Sequence, residues 1–104
     1  MPYQIDIKRN KYNKTELTKA LRTLSPQIKL KQAIEMEIYI NNHGTVTLVA
    51  GIGKKVANHI KKQMNIEGIE AIVKESSINT PMIIFPSTNQ KWEWGGFHSI
   101  QKAI

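Results

Sequence analysis

The apolar residues of this chain switch between a period of two and a period near 3.6, and that switching confines it to a mixed helix–sheet fold. Tyr3, Ile5 and Ile7 alternate with Gln4, Asp6 and Lys8, the pattern of a half-buried strand. Leu17, Ala20, Leu21 and Leu24 then fall on one helical stripe. Asn13 with Glu16 supplies a variant capping box before that stripe. Ser25-Pro26 closes it, because the residue before proline avoids the α region. The spacing predicts a helix over 14–24.

Residues 28–41 fit two periods. Ile34, Met36, Ile38 and Ile40 alternate with Glu35, Glu37, Tyr39 and Asn41, as in a strand, while Leu30, Ile34 and Ile38 would also line a helix. The strand reading is preferred because of residues 41–49. Asn41-Asn42-His43-Gly44 has turn chemistry, and Thr45-Val46-Thr47-Leu48-Val49 is β-branched. Together they read as a β-hairpin. Gly51-Ile52-Gly53 interrupts the second strand. Val56, Ala57, Ile60 and Met64 mark a helix over about 54–65. Ile69, Ala71 and Val73 suggest another strand. Pro81 and Pro86 bracket a short apolar run that reads as an edge strand, since proline cannot donate to a ladder. An aromatic tail with Trp92, Trp94 and Phe97 comes next, ending in a turn of helix over 99–104.

The resulting order, β-α-β-β-α-β with a C-terminal strand and tail, is an α+β sandwich of the ferredoxin-like type. It reads as one domain over 1–104, with a core over 1–76 and a tail over 77–104. With 28–41 helical, the order becomes β-α-α-β-α-β. From Leu30-Lys31-Gln32-Ala33 onward that arrangement resembles the C-terminal domain of the ribosomal stalk protein and the N-degron adaptor of Clp proteases. The acidic residues such an adaptor would use near Asn10 are absent, and Lys11 stands there instead.

The chain has no cysteine, which removes disulfides, thiolate metal sites and a cysteine nucleophile. No apolar run is long enough to span a membrane, and no signal-like stretch opens the sequence, so the cytoplasm is the expected location. Fifteen Lys and Arg against eight Asp and Glu give a net charge of +7. That balance points to nucleic acid or an acidic protein as partner. The charge is uneven: residues 1–31 hold eight basic side chains against Asp6 and Glu16, and 54–62 hold four lysines and no acid.

The candidate anion site is the turn Gly51-Ile52-Gly53-Lys54-Lys55. A glycine turn before a helix lets a ligand approach backbone N–H groups that carry partial positive charge. Val46-x-x-Val49-x-Gly51-Ile52-Gly53-x-x-x-Ala57-x-x-Ile60 resembles the helix-hairpin-helix motif, which implies DNA-phosphate contact by the hairpin amides and a lysine. The competing reading is a turn that merely joins strand to helix; a Walker A loop does not fit the spacing. Lys14 and Arg22 on the first helix, with Lys54, Lys55, Lys61 and Lys62 on the second, would form one positive surface. The bland alternative is a solvated basic face.

Tyr39 and Tyr3 on an open sheet face would suggest base stacking. Trp92, Trp94 and Phe97 read as packing of the tail onto that face, or as a partner-binding patch. His43, His59 and His98 lack metal-ligand spacing, and Glu35 and Glu37 read as solvent-facing strand residues. With no nucleophile motif and no acid/base couple, the expectation is a non-enzymatic binding protein without metal or cofactor. It contacts nucleic-acid phosphates or, alternatively, serves as an adaptor, inhibitor or subunit of a larger assembly.

Overall fold

The structure is a computed structural model that describes residues 1–8, 14–24, 28–86, 88, 90–95 and 97–103, excepting the side chains of 14–17, 98, 99 and 103. Asn13, Ser25 and Pro26, the expected boundaries of the first helix, lie outside the described residues, as do Arg9 and Lys11.

Strand β1 (Tyr3–Lys8) leads into helices α1 (Lys14–Leu24) and α2 (Leu30–His43). Strand β2 (Thr45–Ile52), helix α3 (Lys54–Ile66) and strand β3 (Ala71–Glu75) come next. Strands β4 (Met82–Phe85) and β5 (Gln90–Glu93) and helix α4 (Phe97–Ala103) complete the order. The fold is α+β, with one antiparallel sheet ordered β3-β1-β2-β4-β5.

The expected strand over 28–41 is a helix, so the ferredoxin-like order is replaced by β-α-α-β-α-β with β4, β5 and α4 appended. The cause is that α2 is apolar on two sides. Ala33, Met36 and Ile40 enter the core, while Leu30, Ile34 and Ile38 face outward. Two rows, one buried at i, i+3, i+7 and one exposed at i, i+4, i+8, interleave into an apparent alternation of period two. Asn41-Asn42-His43-Gly44 ends this helix rather than turning a hairpin. Gly44 sits at φ 86 and donates to the Ile40 carbonyl at 2.8 Å. The His43 ring adds a contact between Nδ1 and the Tyr39 carbonyl at 2.9 Å and stacks on the Tyr39 ring. At the other end the Lys29 N–H donates to Gln32 Oε1.

The apolar run between Pro81 and Pro86 is not an edge strand. β4 is flanked by β2 and β5, and both prolines sit just outside the ladder. The edge on that side is β5, whose four residues are all exposed.

Helices α1, α2 and α3 pack on the face of the sheet that carries Ile5 and Ile7, and Leu21, Met36, Ile40, Leu48, Ile52 and Ile60 join them in one continuous core. Tyr3 packs against this core and Tyr39 lies on α2, so neither forms a stacking platform on the opposite face. That face holds a polar network instead. Asp6 accepts from Thr47 Oγ1 at 2.7 Å and Gln4 Nε2 at 2.9 Å, and pairs with Lys74 Nζ at 3.3 Å. Both carboxylate oxygens are thereby satisfied, as a nearly buried charge requires. Within the helical layer, Glu37 is buried and accepts from Thr18 Oγ1 at 2.7 Å, joining α2 to α1. It is therefore no solvent-facing residue, whereas Glu35 is exposed.

Candidate nucleic-acid interface

The two glycines before α3 do different work. Gly51 is buried within β2, at φ 73, where β2 and β1 fall out of register. A Cβ placed there would lie 1.9 Å from the Thr80 carbonyl oxygen. Close passage of the segment before β4 therefore requires glycine at this position. Gly53 is exposed, in ordinary extended backbone at φ −71 and ψ 159, and a Cβ on it would meet nothing within 4 Å. Gly53 is the N-cap of α3, and no side chain among the described residues caps that end. The tip of the helix thus stands open. The strand β2 runs through Gly51 to Ile52, so the helix required before the turn by a helix-hairpin-helix motif is a strand.

The polar face of α3 follows from its sequence. Val56, Ala57, Ile60 and Met64 are buried, which turns Lys54, Lys55, Asn58, Lys61, Lys62 and Asn65 outward. At 100° per residue the four lysines fall within an arc of about 120°. Lys54 and Lys61, like Lys55 and Lys62, are seven residues apart, about 10.5 Å along the axis. All four are exposed, and among the described residues none forms an ion pair; the pairs present are Lys8–Glu70 and Lys74–Asp6. Asn58, Lys61, Lys62, Asn65 and Ile66 line a shallow surface depression on this face.

The first turn of α3 holds no acid. Lys54 and Lys55 occupy positions where the helix dipole favours anions, at a cost of roughly 0.3–1 kcal/mol each. The residues are thus placed against the local electrostatic rule, as happens at sites that serve a ligand.

Helices α1 and α3 border a cleft of about 240 Å³ lined by Ala20, Thr23, Leu24, His59, Ile60 and Met64, with Ile100 of α4 at its side. Arg22 is exposed on α1, 100° round from Thr23 and so off this cleft. Lys19, not singled out in the sequence, lies one turn before Thr23, whose hydroxyl donates to the Lys19 carbonyl. It is exposed, and its i, i+4 spacing from Thr23 puts it on the same side of α1 as that cleft residue, the spacing that could have found it. The side chain of Lys14 lies outside the described residues.

The aromatic tail does not cover the open sheet face. Trp94 is buried on the helical side, and its indole Nε1 donates to the Leu24 carbonyl at the end of α1 at 3.2 Å. Phe97 lies against Trp94 and packs on the core. Trp94 and Phe97 therefore anchor α4 beside the C-terminal half of α3 and leave the tip at Gly53 uncovered. Trp92 is 43% exposed on β5, edge-on to Phe85.

His59 lines the cleft, His43 caps α2, and the side chain of His98 lies outside the described residues. Among the described residues no group of His, Asp and Glu is arranged to hold a metal ion. No helix among them is long and apolar enough to cross a membrane. No protein-family model matches the chain, and no curated protein matches it either.

Proposed function

We propose that the protein binds the phosphate backbone of a nucleic acid through the outer face and open N-terminus of α3. The observation that carries this reading is the pair Lys54 and Lys55, exposed and unpaired among the described residues, at an uncapped helix start. A phosphate there would receive N–H groups from the helix tip and two full charges, relieving the repulsion between those lysines and the dipole. Lys61 and Lys62 would take phosphates further along the same face, with Lys19 and Arg22 on α1 as outlying cations. Gly53 admits the anion; Gly51 shapes the approach to the turn. The contacts engage backbone charge, so the reading implies low sequence selectivity.

Titration of binding against salt tests the proposal. Four phosphate contacts give a slope of log K against log salt of about −3.6 on duplex DNA, a loss of about a hundredfold between 50 and 200 mM. Replacing the four lysines by glutamine removes most of that slope. Absence of binding at low salt, or an unchanged slope in the glutamine variant, overturns the proposal.

A further inference from the structure

The outward side of α2 carries an apolar pattern that phosphate binding leaves unused. Leu30, Ile34 and Ile38 are 50%, 45% and 55% exposed. At i, i+4 and i+8 they form a continuous stripe about 12 Å long. The three side chains expose on the order of 250–300 Å² of apolar surface, near the lower end of the largest patch a typical monomer carries. Lys31 and Glu35 flank the stripe on one side. Both are exposed, and among the described residues neither forms an ion pair.

We propose that this stripe seats a second copy of the chain, α2 packed antiparallel on α2 about a two-fold axis through Ile34. Ile34 then meets Ile34, and Leu30 meets Ile38 of the other copy. Lys31 lies about 4.5 Å before Ile34 along the axis and Glu35 about 1.5 Å after it. Antiparallel overlay brings Lys31 within about 3 Å axially of Glu35 on the other copy, and symmetry repeats the pair. A parallel arrangement turns the two Lys31–Glu35 flanks away from each other and offers no such match. The surface is thus self-complementary in both shape and charge, as a two-fold interface must be. The patch is locally neutral, so the net charge of +7 is carried elsewhere and the lysines of α3 stay free. With the two charged stems added, the interface falls at or below about 1,000 Å², in the range of weak, transient contacts. A weak, reversible dimer is expected.

Sedimentation equilibrium up to about 1 mM tests this with four proteins. The wild type should dimerise reversibly. Ile34→Glu should raise Kd by at least about tenfold. Lys31→Glu, which sets like charges against each other at both symmetric pairs, should weaken the dimer by roughly fourfold or more. Lys31→Glu combined with Glu35→Lys should restore it. All the altered positions are exposed, so circular dichroism should report an unchanged fold. A wild type that stays monomeric, a dimer indifferent to Ile34→Glu, or a charge exchange that fails to restore association overturns the proposal. None of these variants touches α3, so nucleic-acid binding stands or falls separately.

Discussion

Replacing each glycine of the turn by alanine separates packing from access. At Gly51 the new Cβ would lie 1.9 Å from the Thr80 carbonyl oxygen and 2.4 Å from its carbon. Nothing there is a flexible side-chain end; the colliding atoms are backbone. The residue must also hold φ 73, which costs an L-residue about 1–2 kcal/mol. Displacing the 76–81 segment adds a further cost of about 1–3 kcal/mol, comparable to overpacking a core. Gly51→Ala should therefore lose about 2–5 kcal/mol out of a total stability of roughly 5–15 kcal/mol. At roughly 4–8 °C per kcal/mol, the melting temperature should fall by at least about 8 °C. Gly53→Ala adds a methyl group to open space at an ordinary φ. Its cost is that of a poorer N-cap, no more than about 1 kcal/mol. Urea unfolding of both variants measures the difference. Equal stabilities, or a larger loss for Gly53→Ala, would refute the division of roles between the two glycines.

Further outcomes rest on single contacts. Trp94→Phe keeps most of the apolar bulk but removes the donor to the Leu24 carbonyl, so thermal melts should show a loss of about 1–3 kcal/mol. Asn41 Oδ1 is buried with no hydrogen-bond partner among the described residues; Asn41→Leu should raise the stability measured in urea by about 1 kcal/mol. Thr18→Val should cost about 1–3 kcal/mol in the same assay, because buried Glu37 loses a 2.7 Å donor.

Much of the element order is legible wherever one face alone is apolar. The stripe Leu17, Ala20, Leu21, Leu24 gives α1 its bounds, and Val56, Ala57, Ile60, Met64 give α3 within a residue. Helix α2 reads as a strand because its exposed isoleucines obey no burial rule. Ile34 and Ile38 look like core until the fold leaves them uncovered, and only then does the period of 3.6 emerge. Glu37 obscures it further by entering the interior on the strength of the Thr18 hydroxyl, a contact between residues 19 apart that no local pattern reveals. The glycines stand out as special in the sequence, but their distinct roles depend on where Thr80 passes, a tertiary fact. Lysine placement on α3 is readable, since helical phase follows from the buried side. What the residue pattern cannot supply is the position of the tail. Trp94 seeks a carbonyl at the end of α1, and that choice is made by packing.

The most direct test of the α3 site is a proton–nitrogen NMR titration with a short oligonucleotide at low salt. The largest amide shifts are expected at Gly53, Lys54, Lys55 and Val56, with smaller ones at Lys61 and Lys62, and all should shrink as salt is added. Shifts centred instead on Trp92 or on the Gln4–Asp6–Thr47 face, with the start of α3 unmoved, would contradict the assignment.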